Sequence, residues 1–412
     1  MTTTTGRRLR IAYVYRTFNR SGSIPSFFVD RAERLAYDED VIAVCSAEAR
    51  MQTDAPLRFK DVEPVTRGSG RVTYAAECAS FAWRAAGALR RLRDQVDVIH
   101  VVGFAAPKAD LVTVNAVRRA ELAHYFDHVE PDAWLRRRLA SITRPQSLVV
   151  RVVERRLFRE PYPLCLPETR AIANDLTSYF GVPADAIEVM PAGVDTQRFR
   201  PDPAARLRLR AEQGLDEGRL VVLFVGDQFR RKGLDRAIAA LAKAHVDAEL
   251  WVAGRDDPAS YRAAAESLGV RDRVRFLGRV SHDDLPGLYA AADVLLLPSR
   301  QDAWGMPVLE ALACGTVAIT SEYTGAHEIL EHGVNGFVVD EAGRPDQIAS
   351  ILDESVGTLE ARARIGERGV VTAARFDRAH LYERLRALHH EAYARRLHGR
   401  GLPAPSSIGS QA

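Results

Sequence analysis

Two acids eight residues apart, Asp302 and Glu310, stand either side of a helix start in the stretch VLLLPSRQDAWGMPVLE, residues 294–310. Four apolar residues ending at Leu297 read as a buried strand, Pro298-Ser299 breaks it, and Gly305, Met306 and Pro307 lead into VLEALACG. Proline suits a first helical turn because its missing N–H would be unpaired there anyway. Such carboxylates can be an acid/base pair, ligands for a polyol, or surface charge. Their place at the carboxyl end of a strand favours ligand binding, because that edge of an open α/β sheet is where ligands sit. Carboxylates accept hydrogen bonds from hydroxyls, so ribose and hexose diols are suitable partners.

A second chemically loaded stretch is GDQFRRKG, residues 226–233, which follows an apolar strand and opens a helix. Gly226 and Gly233 permit tight backbone turns, while Arg230, Arg231 and Lys232 bring three cations to one helix N-terminus. Cations there oppose the helix dipole, so an anion between them and the exposed N–H groups is expected. A diphosphate suits: arginine offers a fork, lysine a point charge. The bland alternative is a solvated basic loop. GxxxxGK[ST] is absent, and no GxGxxG follows any strand, which argues against a dinucleotide oxidoreductase. Taken together, the two loops describe a site for a nucleoside diphosphate joined to a sugar.

The elements that must hold these loops alternate along the chain. RLVVLFVG, AELWVAG, VRFLG, VLLLP, TVAITS and NGFVVD read as strands separated by helical patterns, as in a doubly wound parallel sheet. The first half opens in the same way with Leu9–Tyr15, a Gly/Ser/Asn/Pro loop and a helix, followed by strands at 40–47, 94–102 and 109–116. Gly22, between Ser21 and Ser23, either brings that loop's backbone close to a phosphate or sugar or simply connects strand to helix. A Pro-rich segment near Arg198–Arg206 divides the halves. At 412 residues, two domains of ~200 residues fit. The net charge of +3 is too small to argue for nucleic acid. The four cysteines, Cys45, Cys78, Cys165 and Cys314, form no CxxC and read as reduced thiols of a cytoplasmic protein. No signal-peptide h-region and no run of ~18 apolar residues is present. Between Asp132 and Glu160 eight arginines stand against three acids. They read first as a solvated helix face with stems over apolar neighbours, and second as a peripheral contact for anionic membrane headgroups.

These motifs resemble those of the retaining GT-B glycosyltransferases of family 4, also called glycosyltransferase group 1. Against that family's ExFGxxxxEAxAxGxPV this chain has DAWGMPVLEALACGTVAI; RRKG, PAGVDTQRF and TGAHE match its basic loop, interdomain segment and GGxxE turn. GDQFRRKGLDRAI is most similar to the lipopolysaccharide-core glucosyltransferase branch. The likeness is strong over about residues 160–345 and only in outline before that. It implies a GT-B fold: an acceptor-binding Rossmann-like domain at 1–197, a nucleotide-sugar-binding one at 198–375, a helix at 376–397 packing back on the first domain, and a disordered tail at 398–412. Arg231 and Lys232 would hold the donor diphosphate, and Glu310 the ribose hydroxyls. Asp302 would stand where the family has its first glutamate, touching the donor sugar. Backbone groups of Phe276, Leu277 and Gly278 would meet the base, with Arg255 nearby. Trp304 belongs to the same motif, and backbone N–H groups over Gly305, Met306, Pro307 and Val308 would complete the sugar and phosphate site.

The chain departs from the family pattern in four places. Asp302 is one methylene shorter than glutamate. Asp227 follows Gly226 where an arginine is common, leaving Arg230 or Arg231 to substitute. The first domain's Gly-Gly loop is reduced to Gly22-Ser23. The histidine that many relatives carry in the acceptor cleft has only His100 or Asn115 as counterparts. The reaction implied is hexosyl transfer from a UDP- or GDP-sugar to a glycan, glycolipid or small-molecule acceptor, with retention, without cofactor or essential metal. The DED at 38–40 reads as a solvated turn. Other readings of the same site are a sugar phosphorylase, a nucleotide-sugar epimerase, or a non-catalytic nucleotide-sugar-binding subunit.

Overall fold

The computed structural model describes residues 7–20, 23–64, 71–129, 145–215, 218–340 and 344–398. Gly22, the start of the arginine-rich segment (residues 132–144) and most of the tail lie outside them. Ser23 opens the helix Ser23–Asp38. Short apolar runs form most of the strands, buried on both faces as parallel strands covered by helices must be, while the edge strands Arg58–Asp61 and Val274–Gly278 are more exposed. The first half contributes β1 (Arg10–Val14), β2 (Asp40–Cys45), β3 (Arg58–Asp61), β4 (Val98–Val102), β5 (Leu111–Val114) and β6 (Leu164–Pro167). The second contributes β7 (Leu220–Val225), β8 (Ala248–Ala253), β9 (Val274–Gly278), β10 (Val294–Leu297), β11 (Val317–Ser321) and β12 (Phe337–Val339). The sheet orders are β3-β2-β1-β4-β5-β6 and β12-β11-β10-β7-β8-β9, with parallel neighbours.

Both sheets have the same doubly wound order, and each reverses direction once, at β1/β4 and at β7/β10. Connections leave to opposite faces at such a point and open a crevice at the strands' carboxyl ends. The two strands flanking the second crevice share one anchor. Asp293, just before β10, pairs with Arg206 at 2.8 Å, Arg210 at 3.1 Å and Arg362 at 3.3 Å, and accepts the N–H of Val221 in β7 at 2.8 Å. Three buried charges and the half-buried Arg206 held this way cannot shift without leaving one unpaired.

The chain crosses between the halves twice, side by side. Val194 N donates to Phe376 O at 3.1 Å, and Arg378 N to Val194 O at 2.8 Å. The last helix, Arg378–His398, then packs Tyr382, Leu385, Leu388 and Ala392 into one core with Leu9, Ile11 and Tyr13 of the first sheet.

That docking corrects two sequence expectations. His100, a candidate for the acceptor cleft, lies within β4 with no exposed surface. Its Nδ1 is 3.0 Å from His389 Nε2 of the last helix, and its Nε2 is 2.9 Å from Thr113 Oγ1. Burial lowers the proton affinity of both imidazoles, His389 to about 3, so they join helix to sheet as neutral groups. No substrate can reach His100 there. The DED turn is not solvated either: Glu39 is buried, accepting Leu9 N at 2.6 Å and pairing with Arg386 at 2.8 Å. All four cysteines are free and buried.

Candidate functional site: a charged cleft at the second switch point

The loops leaving β7 and β10 start from adjacent strands, so strand order alone brings residues 226–233 and 298–305 together. Their backbones are laced: Arg300 N donates to Arg231 O and Arg300 Nη1 to Arg230 O, both at 2.8 Å. Gly233 stays close to Pro298 because it lacks a Cβ; one built there would lie 2.1 Å from Pro298 O. Its φ of +81° also favours glycine.

The cations do not sit as expected. Phe229–Lys232 is a single helical turn bounded by left-handed Gln228 and Gly233, so Arg230, Arg231 and Lys232 belong to the end of that turn, where the dipole favours them. They also diverge. Arg230 is exposed, Arg231 reaches Gln301 O, and Lys232 turns inward, 8% exposed, its stem over Gly226. Lys232 Nζ is hydrogen-bonded to Asp302 Oδ2, and Arg231 Nη1 lies 3.8 Å from Asp302 Oδ1. The anion among the cations is thus Asp302 itself. Burial lowers the Lys232 pKa, opposed by the charges of Asp302 and Glu310 and reinforced by Arg231. All four groups therefore act on one small volume.

Glu310 lies one turn into the helix Met306–Ala313 and is 5% exposed. Its Oε2 accepts the Tyr289 hydroxyl at 2.7 Å, and its Oε1 is 3.8 Å from His282 Nε2. The carboxylate is oriented before any ligand arrives. At the helix start, Gly305 adopts φ +90°, and a Cβ there would stand 2.3 Å from Thr324 Cγ2. Donors here are fewer than expected. Pro307 has no N–H, and Val308 N donates to Gly305 O at 2.9 Å, leaving Gly305 and Met306. Trp304 is buried and its Nε1–H has no partner among the described residues.

Phe276, Leu277 and Gly278 end the edge strand β9, Gly278 O accepting Gly254 N at 2.9 Å from the loop after β8. Arg255 in that loop is locked on Asp227, its Nε donating to Asp227 Oδ2 at 2.8 Å. That guanidinium holds the Asp227 carboxyl below the usual range.

The first domain touches this site through groups not singled out from the sequence. His124 Nε2 is 2.7 Å from Arg300 O, and Gln301 Nε2 donates to Glu121 O at 2.9 Å. His124 and His128 both pack on Tyr323, at 4.7 and 4.5 Å between centroids. Two histidines four apart in AELAHYFDH were the available signal, since i,i+4 places them on one face. Asn115, the other candidate counterpart of the family histidine, donates to Glu168 Oε1 at 2.7 Å. Among the described residues no group of three or more His, Cys, Asp or Glu side chains is placed to hold a metal ion. None of their helices is long and apolar enough to cross a membrane.

Two family profiles account for both halves. "Glycosyltransferase Family 4" matches residues 28–198, and "Glycosyl transferases group 1" matches residues 205–370. The chain belongs to this glycosyltransferase family. Within it, the chain is 39% identical over 204 residues to a GDP-mannose-dependent alpha-(1-6)-phosphatidylinositol monomannoside mannosyltransferase of Mycobacterium tuberculosis, covering 47% of this chain and 52% of that protein. It is 33% identical over 217 residues to a D-inositol 3-phosphate glycosyltransferase of Segniliparus rotundus, covering 51% and 48%. The chain thus spans about half the length of the curated relatives it matches. Among solved structures it superposes on WaaG, a glycosyltransferase involved in lipopolysaccharide biosynthesis, with TM-score 0.73 and 23% identity, covering 91% of this chain and 98% of that one. Sucrose-phosphate synthase from Thermosynechococcus elongatus gives TM-score 0.76 at 18% identity, covering 94% and 100%. The family 4 chain therefore has the GT-B fold, two Rossmann-like domains facing across a cleft.

Proposed function

We propose that this protein transfers a hexosyl unit from a nucleoside-diphosphate sugar to a hydroxyl-bearing acceptor, with retention of anomeric configuration. The observation that carries this reading is the pairing of Lys232 with Asp302, beside Arg231 and Glu310, at the second switch point. A diphosphate brings negative charge to Arg231 and Lys232, which frees Asp302 to accept hydrogen bonds from sugar hydroxyls. Glu310, anchored by Tyr289, meets the ribose. The acceptor oxygen attacks the anomeric carbon from the side of the departing diphosphate. One C–O bond breaks as the other forms, and the acceptor proton passes to the diphosphate. The rate enhancement comes from stabilising charge on the leaving phosphate.

A relative whose name specifies GDP-mannose supports GDP-hexoses as the first donors to test and UDP-hexoses as the second. Inositol-bearing acceptors gain support from the names of both relatives. Thermal unfolding with UDP-, GDP- and ADP-sugars should show stabilisation by one nucleotide class, since a ligand at 100 times its Kd adds about 2.7 kcal/mol. No stabilisation by any of them would sink the reading. NMR of the product at the anomeric carbon tests retention. An inverted product would overturn that part alone.

The described part of the arginine-rich segment supports a peripheral lipid contact. On the helix Pro145–Leu157, Leu148 and Val152 are exposed beside exposed Arg155 and Arg156, and Arg156 lies over exposed Trp83 at 4.8 Å. Apolar side chains ringed by cations suit an anionic headgroup layer. Flotation with anionic vesicles should show binding that high salt removes; salt-insensitive or absent binding rejects it.

A further inference from the structure

Glu168 closes the carboxyl end of β6, between Pro167 and the helix-capping Thr169, and is 6% exposed. Asn115, one residue past β5, holds its Oε1 at 2.7 Å. Its Oε2 has no hydrogen-bond partner among the described residues. Strands β5 and β6 are adjacent and parallel, so both side chains emerge at one edge of the first sheet. That edge faces the donor domain. Arg170 N and Ala171 N donate to Glu328 at 2.9 and 3.1 Å, and a Cβ on Gly325 would stand 2.6 Å from Thr169 Cγ2.

Three groups face this carboxyl: Arg31 from the helix Ser23–Asp38, Asn115 from the end of β5, and Asp302 from the donor loop. Burial pushes it up to about 7, Arg31 and Asn115 lower it, and Asp302 raises it. Arg31 is itself buried, its guanidinium 4.1 Å over the Phe27 ring, with no hydrogen bond among the described residues. A carboxylate with one oxygen clamped and the other unpaired is costly unless a donor arrives. Its position, across from the residue assigned to the donor sugar, is where an acceptor hydroxyl must come.

We propose that Glu168 is the acceptor-binding carboxylate of the first domain: its free oxygen accepts a hydrogen bond from the hydroxyl that receives the sugar, and Asn115 sets its orientation. The proposal rests on the transferase reading. No proton is left on Glu168, because the hydroxyl's proton goes to the departing diphosphate; the carboxylate aims the oxygen lone pair at the anomeric carbon. The substrate class is a polyol or glycan with a free hydroxyl, and discrimination between hydroxyls follows from this contact. Only the ionised form accepts with that oxygen, so acceptor KM should rise as pH falls through about 7.

The test is steady-state transfer by Glu168→Gln and Asn115→Ala across pH 5.5 to 8.5 (roughly the range bracketing that titration), alongside calorimetry of the nucleoside diphosphate. Glu168→Gln should lose about 10–10²-fold in kcat/KM for the acceptor, the scale of one charge-assisted hydrogen bond, and should lose the acid limb. Asn115→Ala should raise acceptor KM by a smaller factor. Nucleoside diphosphate affinity should stay within about twofold in both. A Glu168→Gln enzyme with wild-type acceptor KM and an unchanged acid limb overturns the proposal while leaving the transferase reading intact. If that variant does not fold, Asn115→Ala decides: unchanged acceptor KM and acid limb overturn it. A wild-type protein that binds no nucleotide sugar overturns the transferase reading, and this proposal with it.

Discussion

Lys232→Ala is expected to lower kcat for sugar transfer by about 10²–10³, the loss found when one preorganised charge-stabilising donor is removed. Two features make the effect large. The ammonium is 8% exposed, so its field on a developing phosphate charge is little screened by water. Its stem lies over Gly226, with a Cβ there 3.4 Å from Lys232 Cε, so it is held in place before the donor arrives. The variant also strips Asp302 of its counter-ion. An unpaired carboxylate in the donor site repels the diphosphate, so donor KM should rise as well. It also costs stability, on the order of 3 kcal/mol for a broken buried pair. The double variant Lys232→Ala/Asp302→Asn separates these effects. It should recover stability and part of the donor affinity, but not kcat. Turnover of Lys232→Ala close to wild type would sink the assignment of this lysine to the leaving diphosphate.

Glu310→Ala should weaken nucleoside diphosphate binding by about 10²-fold, corresponding to one or two charge-assisted hydrogen bonds to a ribose diol. The Tyr289 hydroxyl on Oε2 fixes the carboxylate without neutralising it, so the remaining lone pairs are preorganised for hydroxyls. Calorimetry with a nucleoside diphosphate and its 2′,3′-dideoxy analogue reads this contact. The wild type should discriminate between the two ligands, and Glu310→Ala should not. Equal discrimination by both proteins removes the ribose role from Glu310. Tyr289→Phe leaves the charge but frees its orientation, so it should fall between them.

Much of the candidate site was legible because it is locally encoded. Parallel strands buried on both faces need short unbroken apolar runs, and LVVLFV and VLLL are such runs. Gly226, Gly233 and Gly305 stand where the backbone takes left-handed or close-approach geometry, so the loops were visible as loops. The edge strand β3, RFKD, was not legible, because a half-solvated edge needs no apolar run. The separate turn Phe229–Lys232 was also hidden, since residues 226–233 read as a loop opening one helix, whereas left-handed Gly233 divides that turn from the helix Leu234–Lys243.

What the sequence by itself determined is the two-domain parallel architecture and the two charged loops on which the proposed function rests. Each depends on residues within a few positions of one another, where steric and hydrogen-bonding rules act directly. Only the tertiary structure decided which charges meet. Lys232 and Asp302 are 70 residues apart, Asn115 and Glu168 53, and His100 and His389 289. Strand order placed the first pair side by side at a switch point and the second at the carboxyl ends of the adjacent strands β5 and β6. The docking of the last helix buried His100 and removed it from the cleft. A pairing energy depends on distance and dielectric, and both are properties of the folded arrangement rather than of the order of residues along the chain.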